Sequence, residues 1–300
     1  MELKGVNTNP QTAPDTPSWP PLMIAVAPNG ATWGKADHQM LPITPAEIAE
    51  AAASCLEAGA CMMHLHVRDN DVRHTLDVEA YEAASAAVRD AIGDKLILQA
   101  TSEAVGMYQP AEQMAMVRGL RPEAVSMAIR ELVPDDASER DAAEFFAWLG
   151  RENISPQYIL YSEDEVRRFM DLRRRSVIPG ETVFVLYVLG RYSAGQISAP
   201  ADLLPFLGAA GGAGIHWGFC AFGPREGACA LMVTALGGHA RVGFENNRWL
   251  NNGDLAPYNA ALVAQVAASA ELMSRPLADA DMARALLAGP GDTAIREAVA

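Results

Sequence analysis

Cysteine is scarce in this chain: four in 300 residues, at Cys55, Cys61, Cys220 and Cys229. They lack metal-motif spacing and lie in apolar surroundings, so they read as reduced core thiols. Long apolar runs are missing. No stretch reaches about 18 residues without a charge, which argues against a membrane span. No charged-then-apolar leader opens the chain, and the expectation is a soluble, cytoplasmic protein. Basic residues are few, 23 against 37 acidic, for a net charge of −14 at pH 7. Nucleic acid and membrane surfaces are polyanions, so neither is an expected partner. An anionic small ligand stays open, because a few local arginines can hold one. A G-x-G-x-x-G turn is also absent. The turn after the first apolar run reads PNGATWG, which argues against a dinucleotide site.

What is present is a core-sized share of apolar residues, 50% of the chain. Residues 1–21 carry Pro10, Pro14, Pro17, Pro20 and Pro21 and read as an irregular arm, either wrapping a neighbouring subunit or a plain tail. From residue 22 short apolar runs alternate with stretches of helical period. Strands are expected over 22–28, 61–67, 95–101, 123–129, 156–161, 182–190, 214–222 and 239–244. Helices are expected over 45–58, 78–92, 110–118, 138–149, 163–175, 200–209, 224–236 and 256–273, with a last one over 278–288. Thr44-Pro45-Ala46-Glu47 carries an N-cap, a first-turn proline and a capping box. Eight strand–helix units with continuously apolar strands imply a covered parallel sheet. The count in about 270 residues is that of a (β/α)8 TIM barrel, a single domain over 22–300 with a C-terminal helical extension. A doubly wound open sheet is the alternative.

In such a barrel chemistry lies at the C-terminal strand ends. The second strand ends His64-Leu65-His66-Val67-Arg68. Alternation puts His64, His66 and Arg68 on one face, close enough for the two imidazoles to share an ion. The eighth strand reads Arg241-Val242-Gly243-Phe244-Glu245, which places Glu245 at the mouth. Two histidines and a carboxylate with an open position match a catalytic zinc set. The structural alternatives are two histidines bonded to backbone and an Arg241–Glu245 ion pair. Thr101 and Ser126 are hydroxyls that could orient a substrate, and Glu103 is an extra rim carboxylate. His38 and His74 fall in loops and are expected to be solvated. His216 and His239 are expected to be packed or hydrogen-bonded. Arg225 fits either an anion site or an ordinary surface position.

The runs LPITPAEIAEAAASCLEAGACMMHLHVRD, LILQATSEAVGM and GGHARVGFENN resemble the β-keto acid cleavage enzyme family over residues 22–288. HLHVRD and GGHxRVGxE are specific when they occur together in this order. The resemblance implies a Zn2+-dependent transferase on the same barrel, a homo-oligomer, that condenses a β-keto acid with acetyl-CoA to give acetoacetate and a new acyl-CoA. It implies His64, His66 and Glu245 as metal ligands, Arg241 as the catalytic arginine, and Thr101 and Ser126 as substrate-binding hydroxyls. Three acidic positions of the family are changed. Asn246 stands where the family base is an aspartate, Thr32 replaces a first-loop glutamate, and Ile159 replaces an acidic residue. Glu103 stands where glycine is common, and is a candidate either to hold a substrate amine or to serve as the missing catalytic base. A neutral or anionic keto-acid tail is therefore expected, with Thr32, Thr101, Ser126 and Asn246 contacting it. Two other readings remain open: a CoA-independent metal-dependent hydrolase or aldolase-type lyase, and a non-catalytic zinc-binding barrel.

Overall fold

The computed structural model describes residues 19–211 and 215–288. Eight strands close into a parallel barrel: β1 (Ile24–Val26), β2 (Met62–Leu65), β3 (Ile97–Thr101), β4 (Ala124–Ala128), β5 (Ser155–Leu160), β6 (Val183–Leu189), β7 (Ile215–Ala221) and β8 (His239–Val242). Neighbours in sequence are neighbours in space, and β1 closes on β8 with Ile24 opposite Ala240. The expected (β/α)8 architecture is the one observed. The arm expected over residues 1–21 falls outside the described residues up to 18, as does the segment after 288. Among the described residues no helix is long and apolar enough to cross a membrane.

The helices are α1 (Pro45–Glu57), α2 (Val78–Ile92), α3 (Pro110–Leu120), the single turn α4 (Ile129–Leu132), α5 (Glu139–Arg151), α6 (Glu163–Arg174), α7 (Leu204–Ala210), α8 (Glu226–Ala235), α9 (Asn259–Glu271) and α10 (Ala280–Ala288). The capping box of α1 forms: Thr44 Oγ1 accepts from the Glu47 N–H at 3.3 Å, and Glu47 Oε2 accepts from the Thr44 N–H at 3.0 Å. Each closes a backbone donor that the helix cannot.

Alternation sorts the strand residues into two layers. Met63, Leu65, Leu98, Val125, Met127, Tyr158 and Leu160 face outward and pack under the helices. There Phe145, Phe169 and Phe219 are fully buried, each worth about 1.5–3 kcal/mol by area removed from water. Met62, Ile97, Ala124 and Phe184 face inward, against Ala278, Ala280 and Ala283. Thus α10 closes the barrel floor. Buried Arg275 fastens that end, donating to the carbonyls of Pro20, Thr234 and Gly238 at 2.9 Å each.

Two strand ends depart from the expected pattern, and both shape the mouth. β2 stops at Leu65. Val67–Arg68 then pairs antiparallel with His74–Thr75 as a small hairpin. β8 stops at Val242, because Gly243 takes φ +138°. A Cβ on Gly243 would lie 2.4 Å from the Ala27 carbonyl oxygen, so no larger residue can pass so close to β1. The turn that follows is held from four sides. Glu245 N–H donates to the Ala27 carbonyl at 3.1 Å, Phe244 N–H to Asn259 Oδ1 at 2.9 Å, and Trp33 Nε1–H to the Glu245 carbonyl at 3.0 Å. Glu226, at the start of α8, accepts from Gly243 N–H at 3.3 Å and Asn247 Nδ2 at 3.2 Å.

Gly243→Ala is expected to lower stability by about 1–3 kcal/mol through backbone strain and by the contact with Ala27. Thermal melting reads this, and an unchanged melting temperature would contradict it. Glu226 is 1% exposed, and burial pushes its carboxyl up from 4.5 to about 8 against the donors facing it. A carboxyl raised in the folded state stays protonated longer there than in the unfolded chain. Its contribution to stability therefore falls as pH rises between those two values. Relative to wild type, Glu226→Gln should gain melting temperature steadily from about pH 5 to about pH 8. Melting curves that stay parallel across this range would refute it.

Candidate metal centre

His64 lies on β2 inside the barrel, 1% exposed. Its Nδ1 is 2.9 Å from Gln99 Oε1, an atom that can only accept, so the ring proton sits on Nδ1. Gln99 is oriented in turn by Gln157, at 3.3 Å. His64 Nε2 is thereby left as a lone pair. It points at His66 Nε2, 3.1 Å away. His66 follows the last residue of β2, and its carbonyl accepts from Asn29 Nδ2 at 3.0 Å. Glu245 reaches the same point from the turn after β8. Its Oε2 is 3.4 Å from both Nε2 atoms. The three donor atoms lie within 4.8 Å of one another.

The electrostatics suit a cation. Burial lowers the His64 imidazole to about 4, with Arg241 adding to the effect. Burial also takes His66 well below its usual range, against the pull of Glu245. Both rings are therefore neutral at pH 7, the form that binds metal. Burial alone would raise the Glu245 carboxyl, but the Arg241 guanidinium beside it holds it well below the usual carboxylate range. Arg241 Nη2 donates to Glu245 Oε1 at 2.8 Å. Glu245 Oε2 is buried with no hydrogen-bond partner. An orphaned carboxylate oxygen beside an imidazole lone pair is what a bound divalent ion satisfies. Two nitrogens and one oxygen fit zinc better than magnesium. Among the described residues His64, His66 and Glu245 are the group with this geometry.

Above the triad a narrow cavity opens between Thr101, Glu103, Ile159, Tyr161, Val188, Arg191 and Phe222. Glu103 sits in the loop after β3, with Oε2 3.8 Å from His66 Nε2 and Oε1 3.5 Å from Arg191 Nη2. Burial and the nearby Glu245 charge push its carboxyl up to about 7, against Arg191. Arg191 lies over the Phe222 ring at 5.0 Å.

The other residues singled out in the sequence take different places around this cavity. Thr101 lines the cavity, and its hydroxyl accepts the Glu103 N–H at 3.1 Å. Ser126 is buried, not in that lining, with Oγ 3.4 Å from His64 Nδ1. That places its hydroxyl beside the His64 ring. Asn246 is buried too. The Gly243 turn sends its side chain to Arg241, whose Nη2 it accepts at 3.3 Å. Thr32 is exposed. The loop turns at Gly30, where a Cβ would lie 2.6 Å from Glu245 Cγ, and Trp33 then bonds the Glu245 carbonyl. Thr32, between them, is left facing solvent. Arg68 does not enter the cavity, because its guanidinium reaches the carbonyls of Gly30 and Trp33. The two loop histidines expected to be solvated are buried. His38 Nε2 is 2.9 Å from the Ala256 carbonyl oxygen, and His74 packs on His66. Arg191, Tyr161 and Phe222 were not expected in the site. Arg191 carries the one sequence signal that finds it, a charge directly after the apolar run of β6 and Gly190.

The barrel resembles solved structures at the level of fold. Apo ObcA superposes with a TM-score of 0.67 at 16% identity, over 83% of this chain and 65% of that one. Curated proteins match along nearly their whole length. A 3-keto-5-aminohexanoate cleavage enzyme of Fusobacterium nucleatum is 30% identical over 273 residues, 89% of this chain and 97% of the relative. A 3-oxoadipate:acetyl-CoA acetyltransferase of Cupriavidus necator is 28% identical over 284 residues, 90% of this chain and 95% of the relative. The model of the beta-keto acid cleavage enzyme family matches residues 21–288, and the chain belongs to that family.

Proposed function

We propose that this chain is a zinc-dependent β-keto acid cleavage enzyme that exchanges the acyl group of a β-keto acid with acetyl-CoA, giving acetoacetate and a new acyl-CoA. The observation that carries the reading is the convergence of His64, His66 and the orphaned Glu245 oxygen beneath Glu103 and beside Arg241, in a member of this family. When bound, the ion supplies Lewis acidity toward the keto-acid oxygens. The chain's own residues do the rest. Arg241 fixes the Glu245 carboxylate and offers its guanidinium to the negative charge that develops on the substrate. Asn246 cannot accept a proton, so Glu103 Oε2, facing the same space, is the proposed acceptor of the proton from the carbon between the keto and carboxylate groups. That carbon then bonds the acetyl carbonyl and the CoA thiolate leaves. The thiolate attacks the original keto carbon, the older carbon–carbon bond breaks, and the proton returns. The atoms of keto acid and acetyl-CoA all reappear in acetoacetate and acyl-CoA.

The cavity walls support a neutral or anionic tail. Ile159, Val188, Tyr161 and Phe222 are apolar or aromatic, and the one carboxylate above the triad is already faced by Arg191. A cationic tail would have to displace that guanidinium or stay unpaired, which is costly in a buried site.

Turnover of acetyl-CoA with a panel of amino-bearing, neutral and dicarboxylic β-keto acids tests this. Acyl-CoA formation with the neutral or dicarboxylic acids is expected. Preference for the amino compound would refute the tail assignment, CoA-independent turnover would point to a hydrolase or lyase, and silence with bound zinc to a non-catalytic barrel. Two variants separate metal binding from chemistry. His64→Ala/His66→Ala should lose stoichiometric zinc. Arg241→Met should keep the zinc and lose about 100- to 1,000-fold in kcat. Elemental analysis beside steady-state rates reads both, and full zinc in the double variant would defeat the ligand assignment.

A further inference from the structure

We infer that His74 is a positioning residue for the metal centre: it fixes the tautomer of His66, so that both ligand imidazoles present bare Nε2 atoms to one point. The inference rests on the proposed metal reading and extends it to a residue on the hairpin that leaves β2. That hairpin pairs Arg68 with His74 and folds the His74 ring back onto His66, with centroids 5.2 Å apart. His74 is 5% exposed. Its Nε2 is 2.9 Å from the Glu103 carbonyl oxygen, which can only accept, so the proton sits on Nε2. In a neutral ring His74 Nδ1 is then an acceptor. It faces His66 Nδ1 at 3.5 Å. If His66 carried its proton on Nε2, two bare nitrogens would face each other in a buried pocket. With the proton on Nδ1, the same contact becomes a long hydrogen bond to His74. Gln99 performs the same service for His64. With both protons on Nδ1, two lone pairs 3.1 Å apart and an unpartnered Glu245 oxygen remain, and they repel one another until a cation lies between them. The relay also ties His66 to the backbone of Glu103, the proposed base.

Two measurements test this. The first is the tautomer balance of His66 in metal-free protein, read from proton–nitrogen correlation spectra with isotope-labelled histidine. A larger Nδ1–H share is expected in wild type than in His74→Phe, and an equal share would overturn the inference. This outcome stands even if the wild type takes up no zinc, a result that would instead defeat the metal reading. The second is zinc affinity by chelator competition, with the melting temperature of metal-free protein as the fold control. His74→Phe keeps a ring without an acceptor and should weaken zinc binding about 10- to 100-fold. His74→Gln keeps an acceptor toward His66 and a donor toward Glu103, and should stay within about threefold of wild type. Unchanged affinity in His74→Phe, or an equal loss in both variants with melting preserved, would overturn the assignment. Where His74→Phe does not fold, His74→Gln decides the question: a zinc affinity more than about threefold below wild type, with melting preserved, would overturn the assignment.

Discussion

Three electron-pair donors within 4.8 Å of one another, in a barrel mouth largely closed to water, repel unless something positive lies between them. Much of the surrounding structure serves to hold them there. Gln99 and His74 take the protons from the far side of each imidazole. Arg241 takes one oxygen of Glu245 and leaves the other without a partner. A ligand atom held by one strand end alone would swing by a rotamer, and a metal site does not tolerate that looseness. Here each donor has a second residue that sets its direction, and those residues come from β3, β8 and the hairpin after β2.

The turn after β8 meets the same demand through the backbone. Glu245 is not on a strand, so the sheet does not aim it. Gly243 turns the chain sharply against β1, and Ala27, Asn259, Trp33 and Glu226 each bond a backbone group of Gly243, Phe244 or Glu245. Helices α8 and α9 therefore contribute to the site though neither enters the cavity. The acidic side chain at the start of α8 accepts from the Gly243 N–H, which gives a structural role to a carboxyl group at 1% exposure that the proposed chemistry does not use.

The barrel was legible because its strands are continuous apolar runs at regular spacing, a pattern set by burial on both faces. His64, His66, Arg241 and Glu245 were legible because strand parity and the strand-end rule place them together. Parity succeeded for Glu245 for a reason it does not contain. The strand has already ended, and a glycine turn brings the side chain to the face that alternation assigns. The rest depended on tertiary contacts that spacing does not encode. His74 looks like a loop residue until the hairpin folds it against His66. Ser126 and Asn246 read as polar groups free to meet a substrate, and spacing does not show that they also sit beside His64 and Arg241. Thr32 shares a loop with Trp33, and the indole bond to Glu245 decides which of the two turns inward.

The cavity's charges explain how so acidic a chain can serve the anions it is proposed to bind. The net charge of −14 resides mainly on groups exposed to solvent, where salt screens it within about 8–10 Å. Inside the mouth the effective dielectric is lower and nearby charges dominate. There Arg241 faces Glu245 at 2.8 Å and Arg191 faces Glu103 at 3.5 Å, so the arginines and carboxylates balance in pairs. A divalent ion added to that balance leaves a net positive mouth. The pairing also divides the labour. Arg241 is buried, keeps its 2.8 Å bond to Glu245 and lines the cavity as well. The Arg191–Glu103 pair is longer and less buried, at 3.5 Å with both side chains 19% exposed, so of the two pairs it is the one that meets the cavity opening.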